Sequence, residues 1–136
     1  MRRLMMAVAA LGLLSGCDND APCTKCPKVA GTYSLMWTNG VEQSGCTTKG
    51  PQPATLTFGQ TGAELTTTID GAALKGTLYV SGNFVVRSAA LDRDLTLRGF
   101  VTELGTDAGV TLSGSLSTQS DGKVVCTTSD TYTAKP

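Results

Sequence analysis

The feature that most constrains this chain is a strict alternation after residue 30. Large apolar residues occupy every second position, and threonine, serine or charged residues fall between them. Successive side chains point to opposite faces only in an extended strand, so a period of two specifies ribbons with one apolar side. Tyr33, Leu35 and Trp37 share a face opposite Thr32, Ser34 and Thr38. Leu56 and Phe58 alternate with Thr55 and Thr57, and Leu65 and Ile69 with Glu64, Thr66 and Thr68. Leu74, Leu78 and Val80 alternate with Lys75, Thr77 and Tyr79. Phe84 and Val86 oppose Val85 and Arg87. Leu95, Leu97 and Val101 alternate with Asp94, Thr96 and Arg98, and Val110, Leu112 and Leu116 with Thr111, Ser113 and Ser115. A last strand is expected from about Lys123 to Thr133, with its inward face open between Val124 and Val125. No run shows the 3.6-residue apolar spacing of an amphipathic helix.

Turn-forming residues separate most of these runs: Gly59 to Gly62, Asp70-Gly71, Ser81-Gly82-Asn83, Gly105-Thr106-Asp107 and Asp121-Gly122. Short connections make neighbouring strands antiparallel. The expected fold is therefore all-β: an antiparallel up-and-down meander of about eight strands, forming a closed or partly open small barrel. Three runs set a glycine on the apolar face: Leu74-x-Gly76-x-Leu78, Leu97-x-Gly99-x-Val101 and Leu112-x-Gly114-x-Leu116. Inward glycine implies tight curvature or room for a bulky neighbour, and Trp37, Tyr33 and Phe58 are expected to fill that room.

The first seventeen residues have a different character. Met1-Arg2-Arg3 is basic, Leu4 to Leu14 is almost wholly apolar, and Ser15-Gly16-Cys17 precedes polar Asp18-Asn19-Asp20. That order describes a secretory signal, and the apolar run is shorter than the roughly 20 residues a membrane span needs. Leu14-Ser15-Gly16-Cys17 resembles the lipobox of bacterial lipoproteins. The resemblance implies a diacylglyceryl group on the Cys17 thiol, cleavage before Cys17 and acylation of the new amine. Two or three acyl chains anchor stably. The expected organisation is a signal peptide over residues 1–16, a lipidated cysteine and polar tether over 17–28, and a barrel-like domain over 29–136. The expected location is the bacterial envelope outside the cytoplasm. The membrane is a partner through lipid, inner and outer membranes both remaining open.

Cleavage would leave 120 of 136 residues, one domain's worth, and would remove Arg2 and Arg3, taking the formal charge from 0 to −2. Such a balance points away from nucleic acid. The chain contains no histidine, which rules out a Ser-His-Asp arrangement and removes the commonest metal ligand. No cofactor, metal site or catalytic set is expected, and the chain reads as a non-enzyme.

With Cys17 assigned to lipid, Cys23, Cys26, Cys46 and Cys126 remain. An even number in an exported chain reads as two disulfides, with three connectivities. A last strand running antiparallel beside the first brings Cys126 towards the loop holding Cys46. The expected bridges are thus Cys46–Cys126 and a local Cys23–Cys26 ring, while crossed pairings stay open should the leader fold back over the barrel. By loop entropy the long bridge is worth about 4–5 kcal/mol and the short one about half that or less.

Asn39 to Pro53 is the longest stretch without strand pattern, and such loops often bind. Glu42, Gln43 and Lys49 are its polar handles and Trp37 stands at its base, so these four are the candidate binding residues. The chain is similar to the lipocalin and avidin group of barrels in its Gly31-Thr32-Tyr33 opening and its number of strands. It departs in having Tyr33 where lipocalins carry tryptophan, and in having no arginine in its final strand, so no ligand-binding residue is carried over. Three functional readings follow: an interaction role towards an envelope protein, a carrier of a small apolar ligand of lipocalin type, and an enzyme inhibitor acting through the 39–53 loop.

Overall fold

In the computed structural model, residues 20–38, 50–89, 93–104, 109–120 and 126–136 are described. They form eight strands: β1 (Gly31–Thr38), β2 (Thr55–Thr61), β3 (Glu64–Ile69), β4 (Ala72–Leu78), β5 (Asn83–Ala89), β6 (Arg93–Glu103), β7 (Val110–Ser120) and β8 (Cys126–Lys135). Each pairs antiparallel with the next, and β1 also pairs with β8, so the sheet closes on itself as a meander barrel. β1 gives its first half to β2 (Gly31↔Phe58 to Ser34↔Thr55) and its second half to β8 (Ser34↔Lys135 to Thr38↔Thr131). That offset is the stagger by which a closed barrel tilts its strands.

The alternating faces sort as the sequence specifies. Leu56, Phe58, Leu65, Ile69, Leu74, Leu78, Phe84, Val86, Leu95, Leu97, Val101, Val110, Leu112 and Leu116 are all buried. Asp70 and Gly71 join β3 to β4 with φ of 51° and 79°. Two consecutive positive φ values define the hairpin turn whose twist matches the flanking strands.

Four boundaries differ from the sequence reading. β2 continues through Gln60 and Thr61, so the turn is Gly62-Ala63 rather than Gly59 to Gly62. Gln60 stays in the strand because its side chain bonds to the leader. β4 ends at Leu78; Tyr79 makes an isolated bridge with Pro22, and Val80 is 67% exposed instead of inward. β8 runs two residues further than expected at its end and sets Tyr132 and Ala134 inward; Lys123, Val124 and Val125, where its start is expected, lie outside the described residues.

The fourth difference concerns the leader. The expected tether reaches Lys28, yet residues 20–30 are bonded to the barrel. Val80 N–H donates to the Ala21 carbonyl (2.8 Å) and Cys23 N–H to the Leu78 carbonyl (3.0 Å). Gln60 Oε1 accepts from the amides of Val29 (2.7 Å) and Ala30 (3.2 Å), and its Nε2 donates to the carbonyls of Pro27 (2.9 Å) and Gly62 (3.1 Å). Val29 is fully buried, and its carbonyl accepts from the Tyr33 hydroxyl at 2.6 Å. Gln60→Ala is expected to lower stability by about 2 kcal/mol, because part-buried backbone groups of the leader lose their partners. Urea unfolding reads that loss, and faster amide exchange at Val29 and Ala30 shows where it falls.

Two of the three inward glycines, Gly99 and Gly114, lie in one row across six strands. Register places Leu78, Phe84, Gly99, Gly114, Tyr132 and Trp37 side by side from β4 through β8 to β1. A methyl at Gly99 would overlap the Phe84 ring and lie 2.6 Å from the Tyr132 hydroxyl. A methyl at Gly114 would overlap the Arg98 carbonyl oxygen and lie 2.6 Å from Gly99 Cα. A methyl at Gly76 would strike the Val85 carbonyl of β5. Gly99 thus makes room for rings, while Gly76 and Gly114 let strand backbones approach closely. The rings that use the room are Phe84 and Tyr132, not Trp37, Tyr33 and Phe58. Phe58 and Tyr33 extend the aromatic cluster instead, edge to face at 5.7 Å from Phe84 and 6.0 Å from each other.

Candidate functional site

The up-and-down order gives the barrel two unlike ends. At the leader end lie residues 20–30, the Gly62-Ala63 turn, the 79–82 turn, Leu104, Gly109 and Pro136. At the loop end lie the end of β1, Pro53 and Ala54, the Asp70-Gly71 turn, the end of β5, the start of β6, the end of β7 and the start of β8.

At the loop end, Trp37 is half-buried. Its ring packs on Tyr132 at 5.4 Å between centroids, and its Nε1–H donates to the Pro53 carbonyl at 2.8 Å. Trp37 therefore ties the end of the 39–53 loop to the barrel wall. Glu42, Gln43 and Lys49 lie outside the described residues, as does Cys46, and so does the expected Cys46–Cys126 bridge. Three polar residues that the sequence reading did not select take inward register here. Thr118 is buried and Ser88 half-buried; each pairs with Leu95 from opposite sides, and neither hydroxyl has a hydrogen-bond partner among the described residues. Asp130, opposite Leu116, shares the face of Tyr132 and is half-buried. The signal for Thr118 was its two-residue step beyond Leu116. Asp130 carried none, because serine and threonine occupy both faces of β8.

Below this rim the interior is occupied. Phe84, Leu78, Leu97, Leu112 and Leu116 are buried around the glycine row, and Tyr132 spans it to donate to the Arg98 carbonyl at 3.0 Å. Burial pushes the Tyr132 hydroxyl well above its ordinary pKa of 10 and raises that of Tyr33. Both donate hydrogen bonds only when protonated. With folded pKa values raised, their contribution to stability is intact below pH 10 and is lost as pH climbs above it. A packed interior leaves no room there for an apolar ligand of lipocalin type, which needs a cavity of roughly 300 Å3 or more.

At the leader end, Cys23 and Cys26 form the expected local disulfide, with Cα atoms 5.2 Å apart. Both half-cystines pack against the core. The Asp20 carboxylate accepts from the Ser81 amide at 3.2 Å and bonds the Ser81 hydroxyl. Two grooves flank the leader. One is lined by Lys25, Tyr79, Val80, Phe100 and Glu103, among others, and the second by Lys28, Thr32, Tyr33, Glu103 and Pro136, among others. Among the described residues no three histidine, cysteine, aspartate or glutamate side chains are grouped to hold a metal ion, and no helix is long and apolar enough to cross a membrane.

Closure, strand number and meander order define a small eight-stranded antiparallel barrel, an architecture consistent with lipocalin- and avidin-like barrels. The chain matches no protein-family model, no curated protein and no solved structure.

Proposed function

We propose that this chain is a non-catalytic lipoprotein of the bacterial envelope, anchored through lipid on Cys17, whose barrel presents a binding surface at the loop end. The observation that carries the anchor is Leu14-Ser15-Gly16-Cys17 at the close of the apolar run. The binding reading is favoured by the loop end, where Trp37, Thr118 and Asp130 set an aromatic face and inward polar groups beside the longest connection of the chain.

Replacement of the thiol tests the anchor. In a bacterial host grown with labelled fatty acid, the parent chain is expected to carry label and to run shorter by its signal peptide. Cys17→Ser is expected to do neither, because serine offers no thiolate to accept the lipid. A parent chain without label contradicts the proposal.

A further inference from the structure

We infer that the leader end of the barrel is a membrane-contact face, in which Val80, Phe100 and Leu104 enter the headgroup region of the bilayer that holds Cys17. The inference rests on the lipid-anchor reading and adds an orientation to it. Its basis is the placement of exposed apolar side chains. Four large hydrophobic residues are exposed among the described residues: Val80 at 67%, Phe100 at 44%, Leu104 at 50% and Met36 at 73%. Scattered single hydrophobics on a surface need no account. Here three of the four share one end. Val80 lies in the β4–β5 turn and Leu104 just past the end of β6. Phe100 pairs with Asn83 at the start of β5, its ring 3.2 Å from the methyl position of Gly82. Val80 and Phe100 line one groove with Lys25. Met36 lies on β1 near the opposite end.

The covalent distance to the lipid makes the bilayer the occupant. Asp20 bonds Ser81, and Ala21 bonds Val80. Three Cα-to-Cα steps lead from Cys17 to Asp20, and fully extended chain reaches about 3.5 Å per step, so the Cα of the lipidated residue is held within roughly 11 Å of that of Asp20. An interfacial apolar face sinks about 5–10 Å into the headgroup and acyl boundary. A barrel on so short a lead cannot stand clear of the surface, and the end resting on it is the one with Val80, Phe100 and Leu104. The charges there are mixed: Lys25 and Lys28, with no ion-pair partner among the described residues, meet phosphate groups, against Asp20, held by Ser81, and Glu103. Aromatic, aliphatic and lysine side chains together suit the interface, where long cationic side chains extend to the headgroups. With that end down, Trp37 and the Asp70-Gly71 turn face away from the membrane.

The test places tryptophan at each end of the full-length, lipidated protein reconstituted in phosphatidylcholine vesicles. Half of the samples contain lipid brominated high on the acyl chain, a contact quencher. After subtraction of the Trp37 signal of the parent, Phe100→Trp and Leu104→Trp emission is expected to fall about twofold or more in brominated vesicles and to shift to shorter wavelength. Met36→Trp emission is expected to stay unchanged. Mass spectrometry of the same samples reports the lipid. Unquenched Phe100→Trp and Leu104→Trp on a chain that carries the lipid overturns the contact face and leaves the anchor standing. Equal quenching of Met36→Trp overturns the orientation. A chain without lipid on Cys17 overturns both the contact face and the reading beneath it.

Discussion

Gly114→Ala is expected to lower the stability of the barrel by about 3 kcal/mol, and Gly114→Val by at least as much, the upper range for overpacking a core. The added carbon overlaps the Arg98 carbonyl oxygen and lies 2.6 Å from Gly99 Cα. Both obstacles are backbone atoms of β6, so no rotamer change relieves them; β6 and β7 must separate along one of the longest ladders in the sheet. A domain of this size has a total stability of about 5–15 kcal/mol, so the loss is a large part of the whole. Gly59→Ala is the matched control. It lies on an exposed strand face, where the nearest atom is the Thr66 hydroxyl at 2.6 Å, a group that can rotate away. Its cost is expected to stay below about 1 kcal/mol. Urea midpoints at constant m-value separate the two. Equal costs at Gly59 and Gly114 contradict the close approach of β6 and β7.

Phe84→Ala is expected to cost about 3–5 kcal/mol, as a large ring removed from a core does. Phe84 is 1% exposed, contacts Phe58 edge to face, and occupies the volume that Gly99 leaves. Because ring and glycine share one space, their substitutions must couple. Gly99→Ala alone is destabilising, since its methyl overlaps the Phe84 ring. In the Phe84→Ala background the same methyl enters vacated volume. The double variant is therefore expected to be more stable than the sum of the single effects by about 1 kcal/mol or more. Strict additivity in the urea-unfolding cycle contradicts the filled interior, and with it the argument against an apolar ligand cavity.

Much of this architecture was legible from residue order because the forces that select it act two residues apart. The inward residues of β2, β3, β5, β6 and β7 all follow from alternation, and the β3–β4 turn follows from Asp70-Gly71. What alternation does not contain is register. That Gly99 and Gly114 meet, and that Phe84 and Tyr132 close over them, depends on which residues face each other across strands, a relation between positions 84, 99, 114 and 132. The inward face of β8 is open in the sequence because Thr127, Thr128, Ser129, Thr131 and Thr133 suit either face; the burial of Tyr132 and Ala134 decides it. Val80 continues the inward period in the sequence, and the chain breaks that period after Leu78 to turn. The docked leader was not visible because its bonds are made by backbone groups of Ala21, Cys23, Pro27, Val29 and Ala30, which every sequence possesses. Of the side chains that hold it, Gln60 sits between Gly59 and Gly62 and Ser81 beside Gly82, so both read as turn residues. Of the candidate binding residues, Trp37 is placed at the loop end, where Thr118 and Asp130 join it through register alone.

In the proposed reading, lipid at Cys17 sets where the protein works and which end of the barrel meets the membrane. Intact mass of the protein extracted from membranes with detergent tests it most directly. The expected result is a chain that begins at Cys17 and exceeds the mass of residues 17–136 by a glyceryl group and two or three acyl chains. An unmodified 14.0 kDa chain that still begins at Met1 would contradict it.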